Sequence, residues 1–399
     1  MKKLLIGTAI VSAALASCVS DESSNLQTQS AQKITFDSPV MYSNENTRAN
    51  VYGEIGSVTD NGVNYSYPKA EQFMIYAISH TEDFSSWANG DNVAFSGTAI
   101  AYDDRVDGWA PFTAEGKYYY WENGKKMSFA ACSPADLEQA HWSGVEKRTY
   151  GSDGLVIPDF KVSADASKQY DLLFSTRVCN QTSANMSHNA SYYSGLPVKF
   201  QHALSSIRFS IRNTSEETVV LTSITIDGVK YSGTFNENIV ESTIDPTLYD
   251  RISDTPNVTP EWIVKDDIIE QPYVAFNGNI TFHESARYVS QLVSEANNPA
   301  NVCNQLLLLP QELTEKSVLE VQYTVNGKAN TKVVNLKGLK SSKEENGQKV
   351  ETGTINSWEI GKRYTYRLTY SSETASRDKI YFSPETGEWQ DVDIIIVEL

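Results

Sequence analysis

Five histidines lie at positions 80, 141, 188, 202 and 283, and no two of them share an H-x-H or H-E-x-x-H spacing. An imidazole metal site or general base needs a second group nearby, and local spacing supplies none. The stretch DDRVDG, residues 103–108, has the carboxylate rhythm of a calcium loop, but Arg105 stands where a ligand oxygen belongs. No G-x-S-x-G elbow, P-loop or dinucleotide fingerprint occurs. No carboxylate pair stands out as a glycosidase pair among 50 acidic side chains. The sequence therefore predicts no enzyme, cofactor or metal site, and His202 reads as a satisfied structural residue.

Cys18 is the one position whose surroundings specify chemistry. Lys2 and Lys3 precede an apolar run over residues 4–16, LLIGTAIVSAALA. A bilayer span needs about 20 apolar residues, so this run reads as a secretory signal peptide. Its end, LASC over residues 15–18, resembles a bacterial lipobox. Such a box implies cleavage before Cys18 and acylation of its thiol and new amine, which exceeds the two signals that stable anchoring needs. The plainer reading is ordinary cleavage near Ala16 with Cys18 unmodified. Cys132, Cys179 and Cys303 are odd in number and widely spaced, which is no disulfide framework. Cys132 and Cys179 either pair or remain buried thiols. A formal net charge of −17 argues against nucleic acid and anionic lipid surfaces as partners.

The elements that would carry any site are strands. The chain holds 22 tyrosines, in runs such as Tyr118-Tyr119-Tyr120-Trp121, and shows no long amphipathic helical pattern. After a polar tether over residues 18–32, Ile34, Phe36, Val40 and Tyr42 share one parity of a strand over 34–42. Pro39 removes one ladder bond there, as at an edge or an irregular pairing. A polar loop, SNENTRAN over 43–50, holds Arg48. Further strands are predicted at 73–78, 117–121, 126–132 and 170–178. Asp227-Gly228 and Asn326-Gly327 each suit a two-residue primed hairpin turn. Residues 198–213 resist a period: Phe200, Leu204, Ile207 and Ile211 fit a helix, and a strand bulged near Ser205-Ser206 fits equally well.

That last segment carries a resemblance. F-x-H-A-L-x-x-I-x-F-x-I, from Phe200 to Ile211, resembles a signature of the fimbrillin family, the pilin subunits of Bacteroidota type V pili. WENGKKMSFAACSP (121–134), TSITIDGVKYSGTF (222–235), LLLLPQEL (306–313), GKRYTYRLTY (361–370) and EWQDVDIIIVEL (388–399) resemble other family elements in the same order. Cys132 departs from the pattern, where an aromatic or aliphatic residue is the rule. Asp21 and Glu22, just after Cys18, resemble the acidic tag that directs lipoproteins of these bacteria to the outer face of the outer membrane.

The resemblance implies an all-β chain of two tandem transthyretin-like Greek-key β-sandwiches. The expected division is a signal peptide over 1–17, the tether over 18–32, an N-terminal sandwich over 33–195 and a C-terminal sandwich over 196–399, closed by a strand at 388–399. It also implies a mechanism. An acylated Cys18 holds the precursor in outer-membrane lipid, and an Arg-specific surface protease cuts between Arg48 and Ala49. Ile34, Phe36, Val40 and Tyr42 then leave with the displaced first strand. Self-assembly, and assembly with other pilus subunits, follows by strand exchange. The expected donor is Ile394, Ile395, Ile396, Val397 and Leu399, apolar on both parities. Two plainer readings stay open: the tail closes its own sheet, and Arg48 is an ordinary loop residue. A competing function is a monomeric surface lipoprotein that binds glycan or a host protein through Tyr192-Tyr193 or Trp87.

Overall fold

The computed structural model describes residues 32–36, 39–41, 58–60, 63–65, 71–84, 87, 92–106, 108–111, 118–135, 148–175, 177–183, 195–196, 198–239, 259–266, 272–285, 305–345, 348–371, 390–391 and 394–396. The chain is all-β, and a 3-10 turn at Ala166–Lys168 interrupts the strands.

An eight-stranded sheet forms the first layer. Its order is Val40–Met41, Lys199–His202, Leu173–Ser175, Lys126–Ser133, Phe73–His80, Asn92–Asp103 and Gly108–Pro111, with Val178–Gln181 also on Lys126–Ser133. The middle strands are buried on both parities. Phe73, Ile75, Phe129, Leu173 and Phe200 gather in one core, and Tyr76, Cys132 and Phe174 enter another. Cys132 and Cys179 are buried free thiols.

Three further sheets complete the chain's main layers. A seven-stranded sheet runs Gln305–Leu308, Ser205–Asn213, Lys362–Tyr370, Ile394–Ile396, Leu339–Glu345 and Gln348–Ile355, with Gln390–Asp391 on Lys362–Tyr370. A four-stranded sheet, Tyr273–Phe282, Val219–Asp227, Val318–Val325 and Lys328–Asn335, shares its core with the seven-stranded one. The last, a junction sheet, runs Glu261–Val264, Ser232–Asn236, Gly154–Lys161 and Thr149–Gly151. It joins strands from either side of residue 195, with Phe235 opposite Ile157. The core crosses that position too: the Phe174 and Phe235 ring centroids lie 5.2 Å apart, as do those of Phe160 and Trp262.

The ambiguous segment at 198–213 resolves into two strands in two sheets. Lys199–His202 ends in the eight-stranded sheet and Ser205–Asn213 begins in the seven-stranded one, with the break at Ala203-Leu204 rather than a bulge at Ser205-Ser206. Changing sheets changes which parity is buried, and this is why neither period fits. His202 sits at the break with its Nδ1 2.7 Å from the Asp171 carboxylate, and both side chains are buried.

The two turn dipeptides behave differently. Asn326-Gly327 forms the expected two-residue hairpin, with Val325 opposite Lys328 and both turn residues at positive φ. Asp227-Gly228 does not close a hairpin. Val219–Asp227 belongs to the four-stranded sheet and Ser232–Asn236 to the junction sheet. Gly228, at φ 67°, instead lets the chain pass Lys316, whose carbonyl oxygen lies 1.9 Å from where a Cβ would sit. Gly228→Ala is therefore expected to cost on the order of 3 kcal/mol in urea unfolding. Gly327→Ala, with open space around it, should cost only about 1 kcal/mol of left-handed strain.

At the junction, Glu237 is fully buried. Its backbone N–H donates to Leu155 O at 2.9 Å, and its Oε2 accepts from Leu155 N–H at 2.7 Å. Oε1 has no partner, and burial pushes the carboxyl up to about 8, opposed by the Leu155 N–H and Arg177; Tyr150 and Cys132 also face it. A raised carboxyl binds its proton more tightly folded than unfolded, so stability falls as pH rises from about 4.5 towards about 8. Glu237→Gln should remove that fall. Its unfolding free energy, followed by urea denaturation from about pH 5.5 to 7.5, should fall less steeply than the native chain's by roughly 1 kcal/mol per pH unit.

Candidate functional site

Without Val40–Met41 the eight-stranded sheet would end at Gly108–Pro111 and at Lys199–His202, and one segment touches both of these strands. Residues 32–36 pair antiparallel with the Trp109 and Tyr119–Trp121 wall. Phe36 N–H donates to Trp109 O at 2.7 Å, and Trp109 N–H returns to Phe36 O at 3.3 Å. Ile34 N–H donates to Tyr119 O at 2.8 Å, and Trp121 N–H donates to Gln32 O at 3.1 Å. On the other side, Leu196 N–H donates to Thr35 O at 2.8 Å, and Phe36 bridges Leu196 in parallel. Past Pro39, Val40 and Met41 run parallel to Lys199 and Phe200. The first strand is thus a stave that closes an open sheet into a ring. Pro39, which lacks an N–H, lies between its two registers.

Its side chains fill the ring. Ile34 and Phe36 are buried, and the Phe36 ring meets Phe73 at 6.0 Å and Phe129 at 5.9 Å, edge-on in both cases. Two such side chains contribute about 3–6 kcal/mol by burial. The five backbone bonds add roughly 2.5–7 kcal/mol. These gains are offset by the cost of ordering the strand, and its loss would uncover Phe73, Trp109, Phe129 and Leu196 together with two rows of backbone polar groups.

A charged clasp sits where the strand enters. Lys33 Nζ lies 3.7 Å from the Tyr118 ring centroid. The Tyr118 hydroxyl donates to Asp103 at 2.8 Å, and Arg105 forks the same carboxylate through Nε and Nη2. Arg105 and then Tyr118 hold the Asp103 carboxyl well below the usual carboxylate range. The calcium-like spacing of residues 103–108 therefore serves an internal arginine–aspartate pair.

The tail has a slot of its own. Ile394–Ile396 runs between two strands of the seven-stranded sheet, with Ile395 parallel to Tyr366 on one side and antiparallel to Ser341 on the other. In this chain it closes the chain's own sheet. The first strand also has one antiparallel and one parallel wall, so the two slots share a pairing pattern.

Of the residues singled out in the sequence, the structure brings Ile34 and Phe36 together in the slot and places Val40 on its parallel wall. Tyr42, Cys18, Arg48, Ala49, Val397, Leu399 and Tyr192-Tyr193 lie outside the described residues. Trp87 is no open platform, because its ring meets Tyr150 at 4.7 Å and Arg177 at 5.0 Å. Sequence reasoning placed Tyr119 and Trp121 in a strand over 117–121 without seeing it as a wall, and it missed Trp109 and Leu196. The signal at Trp109 was the short run GWAP, which is too brief to stand out as a strand.

Residues 58–389 match the model of a family described as fimbrillin-like. No curated protein matches the sequence. Among solved structures, a candidate cell adhesion protein from Bacteroides uniformis aligns with a TM-score of 0.42 at 14% identity, over 80% of this chain and 92% of that one. A second, from Bacteroides ovatus, gives 0.44 at 11% identity over 93% and 97%. The tip fimbrial protein Mfa3 from Porphyromonas gingivalis, with C-terminal truncation, gives 0.30 at 10% identity over 82% and 92%. These likenesses are too loose to carry a functional argument; the match that counts is the one in sequence.

Proposed function

The chain belongs to the fimbrillin-like family, and we propose that it is a structural pilus subunit that assembles by exchanging its first strand. One observation carries this reading. Residues 32–36 and 39–41 together pair with both edges of an otherwise open sheet, over a core that Ile34 and Phe36 complete. Cutting between Arg48 and Ala49 frees that segment from the body of the chain, and a polar loop is where proteolysis concentrates. The vacated slot then takes an extended strand from another subunit, since main-chain bonds and alternate side-chain pockets are what β-augmentation uses. Ile394–Ile396 with Val397 and Leu399 are the proposed donor, because this tail already sits between one parallel and one antiparallel wall.

The acyl groups on Cys18 would hold the precursor at the outer membrane until Arg48 is cut, after which the fibre keeps the body and loses the lipid. The two expected tandem sandwiches, meeting near residue 195, are part of the same proposal; the junction sheet would then couple the slot half to the tail half. Mass spectrometry of assembled material tests the processing step. The expected first residue is Ala49, with the acylated peptide left in the membrane fraction. Fibres that retain residues 33–42 would contradict it.

A further inference from the structure

We infer that the outward face of the four-stranded sheet is a lateral contact between two copies of this chain. The registers place three rows of side chains across that face. The first is Val274, Thr225, Glu320 and Val333; the second is Asn277, Ser223, Gln322 and Thr331; the third is Thr281, Val220, Thr324 and Ala329. The opposite parity is the core, with Leu221, Ile224, Ile226, Leu319, Val321 and Tyr323 buried. The outward residues are exposed or half-buried, and Val274 and Val333, at 40% and 52%, are two of the few large apolar side chains left in water among the described residues.

The face is nearly free of charge in a chain of net charge −17. The three rows hold one carboxylate, Glu320, which accepts from the Gln322 amide at 2.7 Å, and no cation; a second, Asp227, stands at the end of the face beside Val318 and accepts from the Gly228 N–H at 2.7 Å. Two copies of so acidic a chain repel one another, and a face this poor in charge lowers the cost of approach. A twofold axis along the middle row sets the first row of one copy against the third row of the other. The two Glu320 carboxylates then face Thr324 rather than each other. The edge strand Lys328–Asn335 carries Lys328 and Lys332, and edge lysines oppose strand addition, so the copies meet by faces and not by edges.

The size fits a weak contact. Eight-residue strands at ~3.4 Å per residue, four of them ~4.8 Å apart, give a face of roughly 500 Å2 and a paired burial of roughly 1,000 Å2 once the end row of Asp227, Val318 and Asn335 is counted with the three. That is the lower limit for a specific interface, transient between monomers and additive wherever copies are already arrayed. This inference does not rest on strand exchange.

Sedimentation velocity on the full-length chain carrying Arg48→Ala, which keeps strand exchange out of the measurement, tests it. The expected result is a monomer–dimer equilibrium that strengthens between about 20 and 300 mM salt as like-charge repulsion is screened. Gln322→Arg and Thr331→Arg should each weaken it at least tenfold, although both lower the net negative charge. Asn92→Arg, on an exposed strand position elsewhere, should leave it intact. A monomer at every concentration up to about 1 mM, or a dimer indifferent to Gln322→Arg, overturns the inference. So does a monomer that binds saccharide on an array and loses that binding with Gln322→Arg, which would assign the face to a glycan.

Discussion

Low-dose treatment with an Arg-specific protease is expected to turn the monomer into a ladder that survives SDS, and Arg48→Ala to leave it monomeric under the same dose. The size of the effect follows from the slot. Its occupant makes five backbone hydrogen bonds and buries Ile34 and Phe36. Together these are worth roughly 5–13 kcal/mol before any ordering cost. While the strand is covalently attached, it competes for the slot at an effective concentration no free tail can match. Cleavage removes that advantage without touching a single wall residue. A tail from another subunit then gains the same backbone bonds, and dissociation requires the whole strand to peel. Arg105 is the informative control. It is exposed but forked onto Asp103, and a cut there would leave the first strand attached to Phe73–His80 and Asn92–Asp103 while separating it from walls that all follow Arg105, so the first residue of the ladder's subunits tells the two cuts apart. A ladder in the Arg48→Ala chain would move the trigger elsewhere.

Phe36→Ala should be the most damaging single truncation in the ring, at about 3–5 kcal/mol, because its ring packs edge-on against both Phe73 and Phe129. Its signature should be local. Amide exchange at Trp109, Trp121 and Leu196, whose N–H groups bond to the first strand, should accelerate by at least a hundredfold. Amides in the four-stranded sheet should not change. Lys33→Ala, which removes only a cation over an aromatic face, should cost less than about 1 kcal/mol. Equal loss of protection across the whole chain after Phe36→Ala would mean that the stave and the body unfold as one, and that the slot cannot exist empty.

Much of the fold was legible because strand alternation is a local signal. Val318–Val325 and Lys362–Tyr370 show their buried face directly in their apolar parity. The failures share a physical cause, which is that sheets here exchange strands. Residues 198–213 read as neither helix nor strand because the chain leaves one sheet at His202 and enters another at Ser205. Asp227-Gly228 has hairpin chemistry, yet the chain uses it to pass from sheet to sheet, a choice made by the close approach of Lys316. Half of the candidate site was visible. The parity of Ile34 and Phe36 announced a buried face, whereas the walls are contributed by residues more than seventy positions away in Trp109, Tyr119 and Leu196. No local pattern reports that one segment bonds to both edges of a sheet.

The most direct measurement mixes two disabled chains. One lacks residues 390–399 and is cut at Arg48, so it offers a slot and no donor; the other carries Arg48→Ala, so it offers a donor and a filled slot. Sedimentation should show each alone as a monomer under conditions that screen out the weak lateral contact, and the mixture as a one-to-one dimer that goes no further. Ladders from the tail-deleted chain by itself, or a mixture that stays monomeric, would contradict the exchange of the first strand for a neighbour's tail.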